Sequence, residues 1–294
     1  MVKIKREINQ PFGVMIYMIA IVIQFITGFI FSALHTKGTI NDNTFVYISY
    51  AIPQTCYILV FLLVYLVFYG RNVNELLLKE NVKGVHYPLA ILMGIGMLFF
   101  GLLPTTQFTL LMAKLGSSAI TVVPQLSTWY DYILSAIIIC IMPAIGEELI
   151  FRKAICDGMH DVADWKVILI AGAAFSLSHF NLAQTIHQLF IGVLLAYIYI
   201  KTKNITLTMI MHCINNALAL YLTKIFGNEI WQSLTVEGIC FACGFVALFV
   251  GLFFLYKKSN KLENKKIGQV QMITFALLAV LLVGWLVNVI TSFK

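Results

Sequence analysis

Apolar residues dominate this chain in long, almost uninterrupted runs, at about residues 12 to 34, 47 to 69, 88 to 113, 130 to 150, 166 to 182, 186 to 200, 205 to 223, 237 to 256 and 270 to 291. A helix needs roughly 20 such residues to cross a hydrocarbon layer about 30 Å thick. In lipid, every backbone N–H and C=O must be satisfied within the segment, so long apolar runs become helices. The pattern predicts an all-α, polytopic transmembrane bundle of about 8 to 9 spans. The first run follows Lys3, Lys5 and Arg6 as a signal peptide would, but it is longer than a signal core and no clear small-residue cleavage site follows it. It reads as a retained first span.

The connections are short, with no Gly/Ser linker, low-complexity tract or internal repeat, so residues 1–294 read as a single integral-membrane domain. Any chemistry must then sit inside the bundle. The spans between residues 130 and 223 carry His, Asn, Gln and paired Glu where the outer spans are nearly pure hydrocarbon, and they are expected to form the catalytic core.

Composition narrows the function classes. With 60% hydrophobic and 11% charged residues, the chain is far from the roughly one-quarter charged composition of soluble domains. A soluble enzyme, a secreted disulfide scaffold and a disordered tail are all excluded. The net charge of +7 does not indicate nucleic acid, because the basic residues lie between apolar runs, where Lys and Arg set orientation. With a cytoplasmic amino terminus, all Lys and Arg except Lys37, Lys114, Lys224 and Lys294 fall in cytoplasmic segments. The reverse orientation would invert that ratio. The cysteines lie in or beside apolar stretches and read as small packing residues; Cys240 and Cys243 form a C-x-x-C without a redox context.

A charge at mid-bilayer costs at least about 2.5–3.5 kcal/mol even on the mildest scale, so each one needs a partner or a watered cavity. Glu147, Glu148 and Arg152 end the fourth run. Four residues apart on a helix, Glu148 and Arg152 share a face and suit an ion pair, whereas Glu147 points about 100° away. Glu148 is then held ionised while Glu147, less neutralised, suits the role of general base. Phe175 and His179 repeat the four-residue spacing, which puts them on one helix face near the end of the fifth run, and His212 and Asn216 repeat it in the seventh. His187 and Gln188 read as cavity lining. A straight fourth span would leave Glu147 about 20 Å from His179. A fourth helix prolonged to about Met159, with Phe151, Ile155 and Met159 extending its apolar stripe, brings the two level.

Glu-Glu-x-x-x-Arg, Phe-x-x-x-His and His-x-x-x-Asn, met in order by Glu147, Glu148 and Arg152, by Phe175 and His179, and by His212 and Asn216, resemble the motifs of a known family. These are the membrane-embedded CAAX proteases and bacteriocin-processing enzymes (CPBP), also called the Abi or type II CAAX prenyl endopeptidase family. The resemblance covers about residues 130 to 223. Lys153 follows the arginine where members commonly carry glycine, a departure that bears on substrate subclass.

The resemblance implies hydrolysis of a peptide bond in a membrane-associated protein or peptide, with Glu147 and His179 activating water, His212 and Asn216 stabilising the oxyanion, and Glu148 with Arg152 holding the site together. It also leaves a divalent metal such as zinc open, with Glu148, His179 and His212 as candidate ligands. Against zinc, the sequence lacks His-Glu-x-x-His and offers Asn216, a poor ligand but a good hydrogen-bond donor. Two other classes use polar residues in a bundle. A bacteriocin-immunity or peptide-binding protein would use them as a recognition cavity. A transporter would show two related halves with interrupted helices, and no such repeat is present. Short loops in a compact chain point to a bacterial plasma membrane.

Overall fold

The computed structural model describes residues 8–68, 84–231, 233–258 and 268–293. They form a helical bundle, with no strand among the described residues beyond two isolated bridges. The helices are α1 (Gln10–Thr36), α2 (Asp42–Leu63, prolonged by a π turn, Val64–Phe68), α3 (His86–Lys114), α4 (Trp129–Cys156), α5 (Asp164–Leu177), α6 (Thr185–Thr202), α7 (Ile205–Trp231), α8 (Leu234–Lys258) and α9 (Met272–Ser292). Eight of these are long and apolar enough to cross a membrane. Their outer faces expose large apolar side chains such as Phe29, Leu59, Phe249 and Ile290, the surface expected of a protein whose solvent is lipid.

Several helix starts follow local chemistry that is readable in the chain. Asn9 and Asn41 cap α1 and α2 by accepting from the Phe12 and Thr44 N–H groups, and Pro11 opens α1 where its missing N–H costs nothing. Thr128 and Asp131 form a reciprocal capping box at the start of α4.

The exception to the span pattern is α5, which stops at Leu177 instead of running to residue 182. At 14 residues it is about 21 Å long, shorter than the hydrocarbon layer. Its end is made by side chains. Both Ser178 Oγ (2.7 Å) and His179 Nδ1 (2.8 Å) bond the Phe175 carbonyl, Phe180 takes a positive φ of 45°, and Asn181 caps the short turn Leu182–Gln184. Phe175 and His179 therefore do not share a helix face. The histidine lies beyond the helix end, in the turn that leads into α6.

The core is organised around α4, which touches α1, α2, α5, α6 and α7. Of its apolar window 56% is buried, against 17% for the peripheral α9. Helical structure continues past Arg152 to Gly158, so the fourth helix has the extension that the Glu147–His179 distance demanded. Arg152, counted above among cytoplasmic loop cations, is instead fully buried within α4, because its charge is paired inside the bundle. Lys3, Lys5, Arg6, Arg71, Lys79, Lys83, Lys261, Lys265, Lys266 and Lys294, on which the orientation argument also draws, lie outside the described residues.

The helices α5 and α6 pack backbone to backbone through Gly172 and Gly192. A Cβ on Gly192 would stand 2.9 Å from the Phe175 Cβ and 3.0 Å from the Gly172 Cα. Small residues permit such close approach where no hydrophobic effect drives helices together. Replacing Gly192 by Val should separate the pair at a cost of about 1–3 kcal/mol, read as a lower Tm of the detergent-solubilised protein. An unchanged Tm would show that the α5–α6 contact is not as tight as described.

Candidate active site

Two carboxylates on consecutive residues have opposite surroundings. Glu148 has no exposed surface. Its Oε2 lies 3.0 Å from Arg152 Nε, and its Oε1 lies 3.1 Å from His212 Nδ1. Arg152, equally buried, extends its guanidinium over the Phe175 ring, 5.3 Å from the centroid. Phe175 is the wedge of the site: its ring meets Phe151 and His212 edge-on and His179 at a tilt, with centroids 5.1, 5.8 and 5.0 Å away. Two imidazoles and a guanidinium are thereby aligned by one aromatic side chain.

Glu147 turns the other way, into a cavity of about 1180 Å³ that Gln54, Tyr57, His179, His212 and Asn216 also line. Its Oε1 accepts from Gln54 Nε2 at 2.7 Å. Its Oε2 is buried without a hydrogen bond, 3.9 Å from His179 Nε2 and 3.8 Å from His212 Nε2. Both separations exceed direct hydrogen-bond reach.

The ring partners assign the protons. His179 Nδ1 lies on the Phe175 carbonyl, so Nδ1 carries hydrogen and neutral His179 presents an Nε2 lone pair to the cavity. His212 Nδ1 lies on a carboxylate held by Arg152, so it also carries hydrogen and leaves Nε2 facing Glu147. Each gap, at 3.9 and 3.8 Å, is of a width that one bridging water spans.

Asn216 is fixed at both ends of its amide. Oδ1 accepts from Asn215 Nδ2 at 3.2 Å, and Nδ2 donates to the Ile139 carbonyl, also at 3.2 Å. That carbonyl is available because of Pro143. A proline has no N–H for the carbonyl four residues before it and its ring crowds that group, and here the helix opens into a π segment over Ala136–Ile141, immediately ahead of Met142–Glu148. π segments inside α-helices are common at functional sites. The Ile139 carbonyl thus becomes the anchor of Asn216, leaving the second Nδ2 hydrogen uncommitted.

Glu148, His179 and His212 do not converge, since both Glu148 oxygens face Arg152 and His212 Nδ1, on the opposite side of that ring from Nε2. Glu147 faces both Nε2 atoms, but at separations wider than the roughly 3.4 Å between two tetrahedral ligands each about 2.1 Å from one ion. Among the described residues, no group of three or more His, Cys, Asp or Glu is arranged to hold a metal ion. The residues as placed do not fit a metal centre.

Of the two residues expected to line a cavity, Gln188 does. His187 instead packs its ring on Gly101 of α3, where a Cβ would collide with it. Gln54 belongs to no motif, and α2 reads as an outer, almost purely apolar span. The available signal was a lone amide directly after Pro53 in that run. Also outside the motifs is the non-helical stretch 118–127, which contributes Thr121, Val123, Pro124, Gln125, Leu126 and Ser127 to the cavity wall. It is pinned by Tyr50 Oη to the Val122 carbonyl (2.8 Å) and by Asn181 Nδ2 to the Ile120 carbonyl (3.1 Å).

Removing one partner of a buried ion pair strands the other charge and typically costs about 3–5 kcal/mol. Arg152→Met alone should therefore destabilise the protein strongly, while Arg152→Met combined with Glu148→Gln should recover part of the loss, as read by thermal unfolding. A single variant as stable as the double would mean that Glu148 does not depend on Arg152.

Residues 129–218 match the family model described as Type II CAAX prenyl endopeptidase Rce1-like. No curated protein and no solved structure matches the chain. The matched stretch begins with α4 and ends within α7, so it takes in the Glu147–Glu148–Arg152, Phe175–His179 and His212–Asn216 groups and leaves out Gln54 and the 118–127 segment. Within a multi-pass integral membrane protein, the three motif groups thus lie in a stretch, residues 129–218, that is similar to the Rce1-like type II CAAX prenyl endopeptidase family.

Proposed function

We propose that this protein is a membrane-embedded endopeptidase, hydrolysing a peptide bond in a membrane-associated protein or peptide with a water activated by Glu147 and His179. The observation that carries this reading is the free Oε2 of Glu147, facing two imidazole Nε2 atoms across gaps of 3.8 and 3.9 Å inside a large cavity. Three groups that face one another without bonding leave a position for a polar reactant, and a carboxylate flanked by two imidazoles can take up and return a proton. The same arrangement on a soluble surface would be filled by solvent; in an apolar bundle it needs a purpose.

In this reading, water in the gap gives a proton to Glu147 Oε2 as its oxygen attacks the substrate carbonyl carbon, with His179 Nε2 orienting it. The negative charge that develops on the carbonyl oxygen is met by the free Nδ2 hydrogen of Asn216 and by His212, whose imidazolium form donates from Nε2 while Nδ1 stays on Glu148. The C–N bond breaks as the proton held by Glu147 passes to the leaving amine. Water thus adds across the peptide bond and Glu147 returns to its starting state. Glu148 and Arg152 stay out of the reaction and keep His212 in place. At about 1180 Å³ the cavity exceeds the 300–1,000 Å³ typical of small-molecule pockets, in keeping with a peptide segment. A bacterial plasma membrane is the proposed setting, on the shortness of the connections.

Glu147→Gln keeps the shape and one hydrogen bond while removing the base, and should lower turnover by at least about 100-fold. The measurement is the appearance of new peptide termini after incubation with membrane proteins and peptides from the source. Termini that form equally in both proteins would remove Glu147 from the base role. A folded wild type that cuts nothing yet binds peptide would favour the immunity or peptide-binding reading. Turnover should also survive exhaustive dialysis against a chelator. Loss of turnover that zinc restores, together with stoichiometric zinc that disappears in His179→Ala, would replace this mechanism with a metal-assisted one.

A further inference from the structure

We propose that Gln54, on α2 and outside the matched stretch, is a positioning residue that locks the Glu147 carboxylate with Oε2 aimed at both imidazoles. The inference rests on the proteolytic reading of the same site. The terminal torsion of a glutamate is broad and two-fold, so a carboxylate in an open cavity can rotate and exchange its oxygens. Gln54 removes that freedom by holding Oε1 with a 2.7 Å bond from Nε2. The flipped amide would set oxygen against oxygen, so the donor end faces an ionised carboxylate.

The choice of side chain is informative. Glu148, which holds structure, is paired with a full positive charge at 3.0 Å. Glu147 is instead held on Oε1 by a neutral donor, which orients the carboxylate without adding a further positive charge that would weaken it as a base. Gln54 keeps this bond at a cost, because its own Oε1 is buried without a partner. A buried acceptor left unpaired opposes folding, and an amide serving only to join two helices would be expected to satisfy both ends. The neighbouring sequence accommodates the contact: a Cβ on Gly146 would come within 2.9 Å of Gln54 Oε1 and 3.1 Å of the Gln54 carbonyl. The residue before the base is therefore bare where α2 approaches α4.

The test compares wild type, Glu147→Gln and Gln54→Leu as full-length protein in detergent. The probe is an internally quenched peptide carrying a farnesylated cysteine near its carboxy terminus. Gln54→Leu should lower kcat by roughly 10- to 100-fold, the size of other positioning losses, with KM within twofold of wild type. Thermal unfolding certifies that the compared samples are folded. A role only in helix packing predicts a lower Tm with kcat retained in the folded fraction, and that result would overturn the proposal.

An infrared arm needs no turnover. The carboxylate band that vanishes in Glu147→Gln should move in Gln54→Leu, because it loses its hydrogen bond. An unmoved band overturns the proposal whether or not the probe is cut. A band that moves while wild type leaves the probe intact supports the Gln54 contact and counts against the protease reading.

Discussion

An arginine with no exposed surface stands at the centre of an apolar bundle, and its counter-ion is four residues away on the same helix. The pair contributes little net stability by its attraction alone, because taking both charges out of water costs about what their attraction returns. Its effect is on placement. Arg152 must stay where Glu148 can reach it, Glu148 then holds the Nδ1 face of His212, and the Arg152 guanidinium rests on Phe175, the ring that also packs against His179. One electrostatic requirement thereby ties α4, α5 and α7 into a single arrangement.

The backbone adapts to this arrangement at places where its regular hydrogen bonding is interrupted. Pro143 accompanies a π segment in α4 and frees the Ile139 carbonyl for Asn216. The Phe175 carbonyl, at the end of α5, is taken by the side chains of Ser178 and His179, which terminates the helix and fixes the histidine's proton in the same step. In lipid such carbonyls cannot turn to solvent. Each is satisfied by a polar side chain of the site, so the irregular backbone and the positioning of the functional groups are one feature.

How much of this could be read from the chain depends on the range of the interaction. The ion pair of Glu148 and Arg152 is an i, i+4 contact, and its partition from Glu147 follows from helical geometry alone. The need for a prolonged fourth helix was also legible, because Glu147 and His179 could not otherwise be level. The same reasoning placed Phe175 and His179 on one helix face and failed, since helix propensity gives no warning that two side chains will compete for the Phe175 carbonyl. It passed over Gln54 for a similar reason: an isolated amide in an apolar run has no periodicity to mark it.

Sequence alone thus determined that this is an all-helical membrane protein, which residues are too polar to face lipid, and which of them pair along one helix, because burial in lipid and helical spacing are local constraints. Tertiary structure decided which lone pairs face which. The approach of α2 to Gly146, the α5–α6 contact through Gly172 and Gly192, and the meeting of His179 and His212 across the Glu147 carboxylate all depend on the packing of helices distant in the chain. Those distances are set by side-chain volume and crossing geometry at every interface together, and no single segment encodes them.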